Sequence, residues 1–452
     1  MTTTLRVHIQ ETRQRKIRSK TIWVVLFLLC LAPLSIGQPT VQFKEFTVGF
    51  PFDIVLGPDG AMWFTNYSNI GRITATGSVT TFPLPQNSVP TKIAAGPDGA
   101  LWFTESPSGI GRIAPDGTLT EYPLSNLSTQ VWDIAAGPDG ALWFSEWTGG
   151  RIGRITTSGT ITEFPLPRYA SIPSITAGPD GAMWFTETNE VGGGGYVGRI
   201  TMNGSITEFL LPPPVPGWAQ WGFNDIVTGP DGALWVTDGD CRIMRVTTSV
   251  SWTEYRIPGC PPAAGTGAIV AGQDEALWFT LFAGNSIGRI TTNGAITLYP
   301  ISAPNSQPTG MAVGSDGSIW VAEHAAGKIG HLTITQPDNS PPVIAVHADP
   351  EILWPPNHRV VPVRISGSVM DSASGVLASS GEFAVTDEYG LVQPRGHIII
   401  GDSGGYSFLL ALRASREGSD KDGRHYWVRV SVRDNAGNRG VRWIVVTVPH
   451  ER

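Results

Sequence analysis

Hydrophobic and polar positions along most of this chain follow one rhythm that returns seven times. The fullest copy runs from Ala94 to Glu105: two alanines, Gly-Pro-Asp-Gly, then Ala-Leu-Trp-Phe-Thr-Glu. Its tryptophan recurs as Trp63, Trp102, Trp143, Trp184, Trp235, Trp278 and Trp320, at steps of about 40 residues with a longer one after Trp184. An Ile-Gly-Arg-Ile-like run follows each tryptophan, then a glycine turn, then an Ile-Thr-Glu-Phe-Pro-like run. Each repeat therefore predicts four short strands. The first, as in Ile93-Ala94-Ala95-Gly96, has the small side chains that suit strands crowded around an axis. Gly-Pro-Asp-Gly is turn chemistry: proline presets φ, aspartate caps local backbone, and the last glycine takes positive φ. The second strand carries the tryptophan as a wedge between sheets. The fourth ends in proline, as an outer edge tolerates. Short strands repeated at this period predict a β-propeller.

The last repeat stops after Ile329-Gly330-His331-Leu332 and lacks a fourth strand. Val41-Gln42-Phe43-Lys44-Glu45-Phe46, ahead of the first repeat, has the missing strand's pattern. The expected fold is all-β: a seven-bladed propeller over residues 38–335, closed by an N-terminal strand so that no sheet edge stays open.

After a linker at 336–342 the pattern changes. Residues 343–452 hold longer alternating runs, including Tyr426 to Val432 and Trp443 to Val448, joined by the turn Asp434-Asn435-Ala436-Gly437-Asn438. They predict a small β-sandwich. Leu353-Trp354-Pro355-Pro356-Asn357-His358 and that turn resemble the immunoglobulin-like modules of bacterial exported proteins, which space or attach. Ahead of the repeats, a basic stretch and the apolar run Ile22 to Gly37 read as a secretory signal over residues 1–37, too short for the roughly 20 residues of a membrane span. The expected location is secreted, periplasmic or at the cell surface, with no stable span once the signal is cleaved; an uncleaved anchor is the alternative.

The whole chain has a formal net charge of −7, and beyond residue 37 acidic residues outnumber basic ones 37 to 25. A nucleic-acid partner is therefore not expected. Cys241 and Cys260 both fall in the fifth repeat, in loops expected on one face, and in an exported chain they predict a disulfide.

Gly-Pro-Asp-Gly-Ala-Leu-Trp-Phe-Thr-Glu, Ile-Gly-Arg-Ile-Thr and Ile-Thr-Glu-Phe-Pro-Leu-Pro together resemble the streptogramin B lyase (virginiamycin B lyase) family over Val41 to Thr335. That resemblance implies a seven-bladed propeller whose relatives open a cyclic depsipeptide by C–O elimination, with a histidine base and magnesium held by glutamates. Carried over position by position, the reaction is missing. Gly267 and Thr309 stand where the family has histidines, and Gln307 stands where it has a metal-binding glutamate. His324 aligns with the second glutamate, next to Glu323. Threonine does not titrate near neutrality and cannot serve as general base.

Other candidates come from breaks in the repeat. An acid follows the tryptophan strand as Glu105, Glu146, Glu187, Asp238 and Glu323, with Asn66 and Leu281 in the remaining blades. Arg112, Arg154, Arg199 and Arg245 are expected to pair with the first four across the hairpin. The pairing breaks in blades one, six and seven, which are adjacent round the ring. That sector offers Asn66, Arg289, Gln307 and Thr309 as ligand-binding candidates, and Glu323 and His324 as catalytic or metal candidates for magnesium or calcium. Trp218 and Trp221, on a proline-rich loop, are candidates for a platform that stacks a sugar or an aromatic ligand; the alternative is that they cover the blade edge. Asp53, Asp133 and Asp225, with Lys92 at the same point of the second blade, could line the channel mouth, and each aspartate is expected to cap the free N–H groups of an inner strand. The expected function is binding of a small molecule, glycan or peptide at the mouth by a monomeric protein. The rival is an enzyme, either a divergent lyase or a metal-assisted hydrolase of the lactonase type.

Overall fold

The computed structural model describes residues 39–450, apart from 87, 108, 127–128, 189–194, 212–222, 261–264 and 336. The expected leader and the Trp218/Trp221 platform lie outside the described residues. Among those described, no helix is long and apolar enough to cross a membrane.

Seven four-stranded antiparallel sheets form the ring. The second blade is representative, with strands Val89–Ala95, Leu101–Ser106, Gly109–Ile113 and Leu119–Pro123 from axis to rim. Each blade's inner strand touches the next, and Pro308–Val313 of the last blade meets Pro51–Leu56 of the first. The last blade takes its outer strand from the N-terminus, where Thr40–Thr47 pairs along its full length with Lys328–Thr335.

The repeated turn is a small hub. The Oδ1 of Asp98 accepts hydrogen bonds from the Ala100 amide and, at 3.0 Å, from the Trp102 indole. Its Oδ2 accepts from Arg112 Nε at 2.7 Å. The same triad is Asp59–Trp63–Arg72, Asp139–Trp143–Arg154, Asp180–Trp184–Arg199, Asp231–Trp235–Arg245 and Asp274–Trp278–Arg289 in five other blades. Two glycines are required here. A Cβ on Gly96 would lie 2.4 Å from the Trp102 ring, and Gly99 sits at φ +74°. Each tryptophan is buried and stacks on the fourth-strand aromatic of its blade, as Trp102 does on Tyr122 at 5.5 Å. In the last blade that partner is Phe46 of the N-terminal strand, at 6.0 Å, while His331 stacks on the other side.

These hubs correct the expected ion pairs. The conserved-pattern arginines bond the turn aspartates, not the acids that follow the tryptophan strand. Register is the reason. Arg112 lies opposite Trp102, whereas Glu105 lies opposite Gly109, three residues on and on the other face of the sheet. In the last blade, likewise, His331 faces Trp320 and not Glu323.

Cys241 and Cys260 are bonded, closing a loop with a sequence separation of 19. Loop-closure entropy for a ring of this size is worth about 3 kcal/mol. The Cys241→Ser/Cys260→Ser double variant is expected to lose about that much in urea unfolding. A loss below about 1 kcal/mol would show that the fifth blade holds this loop without the bond.

Residues 343–450 form two facing sheets. One contains Val343–Asp349, Val360–Met370 and Gly405–Arg413; the other contains Arg395–His397, Val376–Asp387, Arg424–Asp434 and Arg439–Val448. Val363, Ile365, Leu412, Val428 and Val430 fill the space between them. Arg424 is buried there against Asp387, whose carboxylate also accepts from the Leu391 and Val392 amides. Satisfied in this way, the buried charges are tolerated.

Candidate functional site

A cavity of about 450 Å³ opens at the mouth of the ring. Its position follows from the repeat. In every blade one residue precedes the innermost capping position; in six of the seven it lines the cavity, as Phe52, Trp132, Pro173, Asn224, Gly267 and Thr309. The residue just after the acid position adds Trp147, Gly239 and Phe282. Hydroxyls of neighbouring blades hold this backbone. Thr104 Oγ1 donates to the Trp132 carbonyl at 2.8 Å, and Thr237 Oγ1 donates to the Gly267 carbonyl at 2.7 Å.

The walls are largely apolar and include four aromatic side chains. Trp132 and Trp147 lie 5.2 Å apart with planes tilted by 46°. Phe52 meets Trp132 edge-on at 5.9 Å, and its other side meets His324 edge-on, also at 5.9 Å. An aromatic file thus runs from Trp147 to His324. Edge-to-face contacts of this kind stiffen a wall and leave ring faces for a ligand.

Charge gathers at the bottom of the cavity. Lys92 pairs with Asp53 at 3.5 Å. Burial alone would lower the Lys92 ammonium's pKa, but the carboxylates of Asp53, Asp225 and Asp133 outweigh it and hold it above the usual lysine value. Burial pushes Asp133 up to about 6 despite Lys92. The three aspartates also cap backbone, each on the next blade: Asp53 accepts from Ile93 N, Asp133 from Ile175 N, and Asp225 from Ile269 N.

The residues singled out from sequence fall in different places. Thr309 and Gly267 line the cavity. Thr309 Oγ1 donates to the Phe52 carbonyl at 2.6 Å, so the hydroxyl proton is already committed. Gln307 is exposed beside the rim at φ +48°. His324 sits behind Phe52, with Nδ1 3.1 Å from the Pro51 carbonyl. A carbonyl only accepts, so Nδ1 carries a proton and the neutral ring has its lone pair on Nε2. Asn66 is buried and fastens the entry to the first blade, accepting from Phe50 N and donating to Val48 O. Arg289 is bonded to Asp274 in the turn hub of the sixth blade. Neither lines the cavity.

The acids after the tryptophan strand do not converge on the mouth. Each is buried in its own blade: Glu105 accepts from Ser88, Glu187 pairs with Arg168, and Asp238 pairs with Arg242. Glu146 and Glu323 are fully buried, and neither carboxylate has a hydrogen-bond partner among the described residues. Among those residues, the three acids whose oxygens come within 4.8 Å of one another are Asp338, Asp371 and Asp434, outside the ring.

Phe52, Trp132, Trp147 and Phe282 were not anticipated from sequence. The readable signal was positional. At two fixed points of the repeat, where scaffold residues should recur, the side chains change from blade to blade, and the cavity takes Phe52 and Trp132 from the first point and Trp147 and Phe282 from the second.

A model of the virginiamycin B lyase family matches residues 36–217 and 174–350. Curated virginiamycin B lyases of Bordetella parapertussis and Bordetella bronchiseptica are each 40% identical over 65 residues, 14% of this chain. The matched stretch spans 21% of the length of those relatives. A streptogramin B lyase structure is 34% identical, with a TM-score of 0.59, covering 65% of this chain and 98% of that one. Virginiamycin B lyase from Staphylococcus aureus is 37% identical, with a TM-score of 0.60, covering 65% of this chain and 99% of that one. A catalytically inactive variant of the same enzyme, solved with quinupristin, has a TM-score of 0.59 at 37% identity. The propeller's repeats, its closure and these matches together place the chain in the virginiamycin B lyase family.

Proposed function

We propose that this chain is an exported member of the family that holds a small molecule or peptide in its aromatic mouth and does not open it by elimination. The observation that carries this reading is the composition of the cavity wall. Elimination requires a base to take a proton α to a carbonyl and a positive group to steady the developing enolate. Gly267 has no side chain, Thr309 is committed to Phe52, and Gln307 carries no charge to hold a cation. What the wall offers instead is apolar and aromatic area, suited to a ring-bearing or macrocyclic ligand.

A specific observation favours the second reading, a lyase rebuilt around His324. That imidazole, when neutral, has its lone pair on Nε2 and lies one ring behind the cavity. One experiment separates the two. Virginiamycin B with added magnesium is expected to quench tryptophan emission saturably and to be recovered intact by mass spectrometry. Trp147→Ala is expected to weaken that binding about tenfold, the scale of one aromatic contact. Turnover that disappears on His324→Ala would replace binding with catalysis as the function.

A further inference from the structure

The sandwich's four-stranded sheet turns one face inward, with Phe383, Val428 and Val430 packed against the opposite sheet. Register places a different set of residues on its outer face. Arg395, Ala384, Arg429 and Trp443 form one row across all four strands. Trp427 and Val445 lie opposite each other in the adjacent row. Trp443 is 51% exposed and Val445 37%. The Arg429 guanidinium lies 5.9 Å over the Trp443 ring, and its Nε is shielded from solvent with no hydrogen-bond partner among the described residues. Arg439, farther along the same face, donates to Ser431 Oγ at 3.0 Å and reaches Glu382 at 3.6 Å, and both side chains stay partly exposed.

We infer that this outer face is a binding surface for a carboxylate-bearing polysaccharide. The exposed Trp443 indole offers a platform for the C–H face of a sugar ring, with Trp427 half-buried beside it, and planar guanidinium forks match carboxylates in bidentate geometry. Charge supports the choice. The chain as a whole is at −7, yet residues 343–452 carry 12 Lys and Arg against 12 Asp and Glu, and this face gathers three of the arginines. The surrounding acidic excess opposes a polyanion as dense as nucleic acid. A uronic-acid chain spreads its charges and presents apolar ring faces between them. The surface lies outside the ring and is independent of what the mouth holds.

The test is affinity electrophoresis of the full chain in native gels containing polygalacturonate, neutral dextran or duplex DNA. Retardation by polygalacturonate is expected, without retardation by dextran, and it weakens in high salt. The Trp443→Ala/Arg429→Gln variant is expected to lose affinity tenfold or more while melting at the parent's temperature. Arg429→Lys keeps the charge but loses the fork, and is expected to retain only part of the affinity. Absent retardation, equal retardation of the double variant, or retardation by DNA in place of polygalacturonate would each overturn the assignment.

Discussion

Removal of residues 38–48 is expected to lower the melting temperature by roughly 10 °C. The strand Thr40–Thr47 supplies every residue of the last blade's outer ladder. Phe46 stacks on Trp320 and lies beneath Gly77 of the first blade, where a Cβ would come within 2.2 Å of its ring. Val41 and Phe43 pack on the core between the sixth and seventh blades. Glu45 accepts from Ala303 N and pairs with Lys328. Half-burial of three apolar side chains, at roughly 1.5–3 kcal/mol for full burial of each, gives roughly 2–4.5 kcal/mol, and loss of the Glu45 contacts adds about 1 kcal/mol. For a ring of this size each kcal/mol is worth about 2 °C. The loss also bares the backbone of Lys328–Thr335 as an open edge, so the truncated chain should self-associate. A melt by circular dichroism, with light scattering alongside, checks both. An unchanged melting temperature would mean that the seventh blade is complete without its N-terminal strand.

A second large effect concerns pH. Glu146 and Glu323 occupy the same position in blades three and seven, fully buried and without a hydrogen-bond partner among the described residues. Burial, reinforced by Glu163, pushes Glu146 up to about 7 against the pull of Arg151. Burial, reinforced by Glu45, pushes Glu323 up to about 7 against Lys328. The folded state therefore keeps protons that the unfolded chain releases from about pH 4.5 upward. Stability contributed by these groups is full below that pH, falls as pH rises towards 7, and is gone above it. At about 1.36 kcal/mol per pH unit, the loss is on the order of 3 kcal/mol for each carboxyl. The Glu146→Gln/Glu323→Gln variant is expected to unfold at higher urea than the parent at pH 8 and at nearly the same urea at pH 4.5. If parent and variant lose stability equally between those pH values, both carboxyls are ionised and solvated in the folded protein.

What the sequence made legible was whatever the repeat wrote many times. Seven blades, their four strands and the N-terminal closure were all readable, because one misplaced copy would break a pattern stated six other times. The disulfide was readable from two cysteines in one repeat. The arginine partners were misread because sequence distance across a hairpin does not say which face a side chain takes; a shift of three residues moved Glu105 away from Arg112. The cavity wall was mostly missed for a related reason. Gly267 and Thr309 were noticed only through a family resemblance, whereas Trp132 and Trp147 lie at the ends of neighbouring strands of the third blade and meet Phe52 of the first blade only when the ring closes. Asn66 and Arg289 broke the acid–arginine pattern, but their contacts belong to the blade entry and the turn hub.

The threonine bonds from one blade to the next have a consequence for how such a ring changes over time. Thr104 and Thr237 hold the main chain of Trp132 and Gly267, not their side chains. A change of side chain at those points leaves the threonine–carbonyl bond in place, although at Gly267 a Cβ would come within 2.6 Å of Thr280 Oγ1 and that hydroxyl would have to turn away. Mutational drift at the mouth is decoupled from drift in the scaffold. Reactive groups can be lost and aromatic ones gained one blade at a time, each step leaving a foldable protein. The ring behaves as a socket with interchangeable contacts, and its chemistry is the most replaceable thing about it.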